Sequence, residues 1–314
     1  MKDLRILFMG TPDFAVEGLA KILEAGYNVV GVVTAPDRPA GRGRKLNQSA
    51  VKKFALTKGL PILQPTNLKS DEFEAQLKEL NPNLQVVVAF RMLPEKVWKF
   101  PEYGTFNLHA SILPEYRGAA PINWAVINGE KTTGATTFFI DEKIDTGNII
   151  QSKEIEIEAT ENVGSVHDRL MKLGGELIAD TLKLIESGEV KTIPQNKEED
   201  PKPAPKLTRE NTKIDWTQST STIFNLIRGL NPYPAAWCFL QNGDKMNVKV
   251  FDSEMILKEH TENPGKLSID NHQIKVATKD GYVLINEIQL PGKRKMKVKD
   301  LLNGLRLEND AYML

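Results

Sequence analysis

The sequence predicts an α/β domain built on a mostly parallel sheet, followed by a smaller, mostly β domain. Three observations predict it. Through the first half, continuous apolar runs alternate with stretches of helical period, as in a sheet covered by helices on both faces. Within "SGEVKTIPQNKEEDPKPAPK" proline and charge replace all periodicity, so residues 188–207 read as an extended linker. Beyond it the apolar runs shorten, and Asn242-Gly243 and Asp280-Gly281 supply hairpin turns. The expected division is 1–187, the linker 188–207, and 208–314.

Taken in order, "LRILFMG" is a buried strand closed by Gly10, and Asp13 caps an amphipathic stretch ending at Gly26. "YNVVGVVT" is a second, β-branched strand. A helical pattern runs roughly from Ser49 to Gly59, and "LPILQP" is a short third strand. "SDEFEAQLKEL" is helical and stops at Asn81-Pro82, after which "LQVVVAF" makes a fourth strand. "GTFNLH" and "GATTFFI" follow as strands, with "APINWAVING" as the helix between them. Val166, Leu170, Leu173 and Leu177 then recur at helical spacing within 161–187. In the second domain a leading helix, "STSTIFNLIRGL", precedes the strands of a small barrel.

Composition narrows the class. At 314 residues, with 40% hydrophobic and 26% charged residues, the chain is globular and long enough for two cores. No apolar stretch is long enough to cross a bilayer, and the first residues read as a strand and not as a secretory leader, so a cytoplasmic protein is expected. A single cysteine, Cys238, excludes an intramolecular disulfide and a cysteine-based zinc cluster. Lys and Arg total 41 against 41 Asp and Glu, so net charge alone predicts no polyanion partner. The charge is nonetheless uneven: "DRPAGRGRK" (37–45) and "GKRKMKVK" (292–299) are basic, and "KEIEIEATE" (153–161) is acidic. On composition these are either solvated loops or parts of a basic face.

Several catalytic patterns are absent: a phosphate-binding glycine loop, a serine nucleophile elbow, and a histidine pair at metal-ligand spacing. Gly41-x-Gly43 lacks the third glycine of a dinucleotide site. His167, His260 and His272 occupy ordinary helix, loop and strand contexts. His109 differs, because it falls at the carboxyl end of a predicted parallel strand, where open α/β sheets place their ligands. Asn107 lies two residues earlier, on the same face by alternation. An amide donor beside a group that gives or takes a proton is what an oxyanion site requires, although the same pair also suits an ordinary loop. "FFIDEKIDTGNII" brings Asp141, Glu142 and Asp145 to another strand end, with Gly147 permitting a sharp turn. A carboxylate beside His109 fixes its tautomer and favours its charged form, whereas an aspartate before Thr-Gly also caps turns.

"NLHASILPEYRGAAPI" and "DEKIDTGNI" together resemble the folate-dependent formyltransferases, whose signature is Asn-x-His-x-Ser-Leu-Leu-Pro with a downstream Asp-x-Gly. "MGTPDFA" (9–15), "APDRPAGRGRKL" (35–46), "KIDW" (213–216) and "NPYPAAW" (231–237) are similar to segments of the members that act on charged tRNA, so the likeness spans essentially the whole chain. It implies a Rossmann-like formyltransferase domain and an OB-like, tRNA-binding β-barrel. It also implies a monomer that needs no metal and moves the formyl group of 10-formyltetrahydrofolate to the amino group of initiator methionyl-tRNA. The alternative acceptor is a small amine such as an amino sugar nucleotide.

Residue by residue, the resemblance makes Asn107, His109 and Asp145 catalytic. Ser111, Ile112, Leu113 and Pro114, with Arg91, Met92, Leu93 and Asp141, become the folate contacts. Arg42, Lys45, Lys206, Lys293 and Arg294 become tRNA contacts, Arg42 entering a groove and Lys45 meeting phosphate. The chain departs from the pattern twice. Ile112 replaces the usual leucine at equal volume. "FRML", within "VVVAFRMLPEKV" (86–97), stands where many members carry Ala-Tyr-Gly and one more residue; it is closer to the pterin segment of the glycinamide ribonucleotide formyltransferases.

Overall fold

The computed structural model describes residues 1–40, 45–195, 200–270, 272–308 and 310–314. In chain order its first elements are β1 (Arg5–Gly10), α1 (Asp13–Glu24), β2 (Asn28–Val33), β3 (Arg38–Ala40), β4 (Lys45–Asn47), α2 (Ala50–Thr57), β5 (Ile62–Leu63), α3 (Asp71–Leu80), β6 (Leu84–Val88) and α4 (Glu95–Trp98). Next come β7 (Thr105–His109), β8 (Arg117–Gly118), α5 (Pro121–Ile127), β9 (Thr132–Phe139), β10 (Ile149–Glu156) and α6 (Val163–Ser187). The remainder is β11 (Pro203–Ala204), α7 (Thr220–Leu230), β12 (Ala236–Asn242), β13 (Asp244–Leu257), β14 (Leu267–Asp270), β15 (Gln273–Ala277), β16 (Gly281–Gln289), β17 (Met296–Lys297), α8 (Val298–Leu301) and β18 (Tyr312–Met313). These form two compact units, and the division is not a single cut. One unit comprises Met1–Pro121, Thr133–Ile155 and His167–Pro203; the other comprises Ile122–Thr132, Glu156–Val166 and Ala204–Leu314.

The first unit is a Rossmann-like sheet in the order β10-β9-β7-β6-β1-β2-β5. Pairs β5/β2, β2/β1, β1/β6 and β6/β7 are parallel, and β9 joins β7 antiparallel. β1 and β6 are buried almost throughout, which is why their sequences are continuous apolar runs and do not alternate. On one face Leu7, Met9, Val33 and Val87 pack with Phe73 and Leu77 of α3 and Val97 of α4. α6 covers part of the other face: the hydroxyls of Thr137 on β9 and Thr181 on α6 meet at 2.8 Å, both fully buried.

The helix starts follow their local chemistry. Ser49 and Ser70 cap α2 and α3 by accepting from the main-chain N–H three residues on. Asn81 closes α3 in the left-handed conformation, a role that asparagine tolerates. Asp13, expected as the cap of α1, is instead its first residue; Pro12 holds the cap position without a side-chain hydrogen bond. The carboxylate then sits in the first turn, where the helix dipole favours negative charge.

The second unit is an antiparallel, nearly closed barrel in the order β14-β15-β16-β13-β12-β18, with β17 added to β16. A bridge between Lys266 and Tyr312, with Met313 N–H donating to the Gly265 carbonyl, brings the two ends of that order together. Ile223, Ile227 and Leu230 of α7 pack into the barrel core with Val248, Val276, Val283 and Ile285. Asn242-Gly243 forms the expected tight turn between β12 and β13. Asp280 does more than turn the chain: it accepts from the N–H and hydroxyl of Thr220, securing the start of α7.

Candidate active site

β7 delivers three polar side chains to one face, Thr105, Asn107 and His109. Register sets Leu108 opposite Thr137 and His109 opposite Thr136. Because Thr137 faces α6, so does Leu108, while Thr105, Asn107 and His109 face the other way. Asn107 is half-buried, and its side chain makes no hydrogen bond among the described residues. His109 is 6% exposed, and its Nε2 lies 2.8 Å from the Tyr116 carbonyl oxygen. A carbonyl only accepts, so Nε2 carries a proton and Nδ1 is the nitrogen left for chemistry. The tautomer is therefore fixed by the main chain of Tyr116, and not by a carboxylate as the sequence suggested.

The chain after His109 is pinned. Ser111 is fully buried and its hydroxyl donates to the Glu115 carbonyl at 2.6 Å. Thr136 Oγ donates to the Ser111 carbonyl at 2.7 Å and accepts from Leu113 N–H at 3.2 Å. Ile112 lies against Gly134 of β9, where a Cβ would come within 2.3 Å of Ile112 Cδ1. Leu113 is buried, and the Leu113-Pro114 peptide is cis. Tyr116, at φ 60°, donates its N–H to the Lys202 carbonyl at 2.7 Å.

Asp145 arrives from the loop between β9 and β10. Its Oδ2 is 3.8 Å from His109 Nδ1 and accepts from Gly118 N–H at 3.0 Å. The first distance is too long for a hydrogen bond, so the carboxylate acts on the ring as a nearby charge. Asp145 itself, not Gly147, takes the left-handed turn, with φ 56°. Glycine is required at 147 for a different reason: a Cβ there would sit 1.7 Å from the Phe139 carbonyl oxygen. Gln195 and Arg117, neither anticipated as site residues, complete this corner. Arg117 Nε and Gln195 Nε2 donate to the Asp145 carbonyl at 3.1 and 3.0 Å. Gln195 lies within the stretch read as a linker, where no pattern marks it; Arg117 lies inside the segment "NLHASILPEYRGAAPI", in which other residues were singled out.

The other sequence-predicted residues are not all brought to this corner. Asp141 is exposed, and its Oδ1 accepts from Lys143 N–H and the Thr146 hydroxyl, which makes it the cap of its own loop. The Arg91 guanidinium donates to the carbonyls of Thr66, at 3.0 Å, and Pro65. Partial burial, and next the charge of Arg38, lower its pKa. Met92 is 71% exposed and Leu93 is buried. Arg42 lies outside the described residues, as does the side chain of Lys45; β3 and β4, which flank Arg42, pair antiparallel. A buried-edge network roots that hairpin: Lys52 Nζ bonds Asp37 Oδ2 at 2.6 Å and Gln64 Oε1 at 2.7 Å. An open cavity of about 640 Å³ beside it is lined by Thr11, Asn47, Ser49, Lys53 and Phe54 and holds none of the predicted catalytic residues.

In the second unit Lys206, Lys293 and Arg294 are exposed. The sequence reading missed a further cationic group. Arg209 lies 4.3 Å over the Trp237 ring and Lys245 4.4 Å over that of Phe239, with Lys213 5.7 Å from Phe239. Trp237 and Phe239 alternate on β12, which is the sequence signal that would have found them. Among the described residues no helix is long and apolar enough to cross a membrane, and no cluster of His, Cys, Asp and Glu could hold a metal ion.

Comparison with known proteins places the fold in a family. The formyl transferase family model matches residues 4–182, and that of the formyl transferase C-terminal domain matches residues 206–306. The methionyl-tRNA formyltransferase of Flavobacterium johnsoniae is 56% identical over 312 residues, 99% of each chain. That of Bacteroides fragilis is 54% identical, covering 98% of this chain and 96% of its own. Among solved structures, the sugar 3N-formyl transferase WlaRD, in the presence of dTDP and 5-N-formyl-THF, superposes with a TM-score of 0.66 at 20% identity over 94% of this chain and 100% of its own. HypX from Aquifex aeolicus, in complex with tetrahydrofolic acid, does so with 0.64 at 18% identity over 98% of this chain and 49% of its own. At that identity both show the fold. The chain belongs to the formyl transferase family.

Proposed function

We propose, taking membership of the formyl transferase family as the premise, that this chain transfers the formyl group of 10-formyltetrahydrofolate to the amino group of initiator methionyl-tRNA. The two methionyl-tRNA formyltransferases named above are 56% and 54% identical to it over nearly the whole chain. One structural observation carries the mechanism: Asn107, whose amide makes no hydrogen bond among the described residues, shares a strand face with a histidine that has only Nδ1 available. That pairing fits a formyl donor, whose carbonyl oxygen needs a hydrogen-bond donor as it gains negative charge.

The donor substrate supplies an electrophilic formyl carbon, and the methionyl amine attacks it. Asn107 Nδ2 donates to the oxygen as charge develops there; in acyl transfer one such donor is worth about 3–4 kcal/mol. His109 takes the amine proton at Nδ1 and returns it to the departing folate nitrogen. Asp145 Oδ2, 3.8 Å away, stabilises the ring while it is charged. Ser111, Ile112, Leu113 and Pro114 form the pinned wall against which folate is held, with Met92 and Leu93 from the loop after β6. We assign Arg91 and Asp141 to shaping their loops, since both spend their polar atoms on neighbouring main chain or side chains.

Acceptor binding falls to cations. The hairpin β3–β4, with Arg42 and Lys45, approaches the acceptor end, and the second unit binds tRNA through Lys206, Lys293 and Arg294 together with Arg209, Lys213 and Lys245. The decisive assay offers purified protein 10-formyltetrahydrofolate with methionyl-tRNA, with other charged tRNAs, and with a dTDP-amino sugar. Formylation confined to methionyl-tRNA is expected. Transfer to the amino sugar in preference to methionyl-tRNA would overturn the assignment.

A further inference from the structure

From Lys191 to Asp200 every described residue is exposed except one: Gln195, at 8%. Its amide is fully used. Oε1 accepts from Arg117 Nε at 3.1 Å and Nη2 at 2.5 Å, while Nε2 donates to the carbonyls of Asp145 and Gly147 at 3.0 and 2.8 Å. Arg117 Nε also donates to the Asp145 carbonyl. Two side chains far apart in sequence thus converge on one main-chain oxygen, that of the residue whose carboxylate faces His109. The support matters because Asp145 stands in the left-handed region, which a non-glycine residue leaves unless its surroundings hold it.

We infer that Gln195 is a positioning residue for formyl transfer: bracketed with Arg117, it locks the main chain of Asp145 and so aims that carboxylate at His109 Nδ1. The inference rests on the role proposed above for Asp145. The plainer alternative is that Gln195 only fastens the connecting segment to the first unit. That fastening already exists two residues earlier, where Ile193 and Ile149 exchange both main-chain hydrogen bonds at 2.8 Å. Gln195 takes no part in that bridge and spends both polar atoms of its side chain on Arg117 and on residues 145 and 147.

Two substitutions in the full-length chain separate these roles. Gln195→Glu keeps the shape and the acceptor for Arg117, but sets an oxygen against the two carbonyls it formerly served. Gln195→Met keeps the volume without polar atoms. Both should lower kcat about ten- to hundredfold, since a misplacement of about 1 Å costs that much, with KM for the formyl donor within about twofold. The loss should vanish in an Asp145→Ala background, where no carboxylate remains to be aimed. Near-normal kcat in both variants, or losses of equal size with and without Asp145, would overturn the positioning role and leave a fastener. Full activity of Asp145→Ala by itself would overturn the reading of Asp145, and the inference with it.

Discussion

The two polar regions of this protein are built on opposite plans. Around His109, polar groups are spent: Ser111, Thr136, Asp145, Arg117 and Gln195 bond fixed main-chain partners, while His109 Nδ1 and, among the described residues, the Asn107 amide are left open. Against β12, by contrast, Arg209, Lys213 and Lys245 come from flanking segments to lie over Trp237 and Phe239, and all three are exposed. Chemistry at a carbonyl demands donors held in place before the reaction, because reorganisation would cost what the hydrogen bonds gain. Attraction of a polyanion demands charge and little fixed geometry. An arginine is therefore rigidly bonded in one unit, as Arg117, and loosely stacked in the other, as Arg209.

The sharpest way to break this comparison is at the proposed catalytic pair, Asn107 and His109. Asn107→Ala should lower kcat about 10²–10³-fold, the usual loss of one oxyanion donor, with KM for the formyl donor nearly unchanged. A rise in KM at constant kcat would instead make Asn107 a binding residue. Next in size is the pinning of the loop. Thr136→Val should destabilise the fold by about 1–3 kcal/mol in denaturant titration, because it orphans the Leu113 N–H it now accepts. An unchanged midpoint would mean that the loop holds without it.

Smaller effects belong to the exposed cations. Lys213→Ala and Lys245→Ala should each reduce the slope of log affinity for tRNA against log salt by about one unit, leaving turnover at saturating tRNA intact. Identical slopes in wild type and variants would remove β12 from the tRNA surface. The smallest effect is on acid stability. Hydrogen bonds first from Lys96 and then from Lys78 hold the Glu74 carboxyl down at about 2. A depressed carboxyl stabilises the fold above its unfolded pKa of about 4.3, and that contribution is lost as pH falls toward about 2. The difference in thermal midpoint between wild type and Glu74→Gln should thus shrink across that window; a constant difference would show the ion pair to be energetically silent.

How much of this was legible beforehand depends on what each feature rests upon. The strands β1 and β6, the serine caps and the Asn242-Gly243 turn follow from burial and local chemistry, so their residues announce them. The Asn107–His109 face follows from the two-residue period of a strand. Contacts that join distant segments leave no such trace. Tyr116 as the partner of His109 Nε2, Gln195 on the Asp145 carbonyl, and the close approach of Gly147 to Phe139 exist only once the chain has folded back. The interleaved composition of the two units is hidden for the same reason: α5 reads as any helix between two strands, and nothing local assigns it to the C-terminal unit.

The central claim, that fixed groups make the bond while exposed cations hold the acceptor, is tested most directly by a crossed measurement. Single-turnover formylation at saturating methionyl-tRNA and equilibrium tRNA affinity would be determined together for His109→Ala and for Lys213→Ala/Lys245→Ala. His109→Ala should lose the rate about 10²–10⁴-fold, the usual contribution of a proton-transfer group, and keep the affinity, while the double variant keeps the rate and loses affinity more steeply as salt rises. Parallel losses of rate and affinity in both proteins would contradict the account.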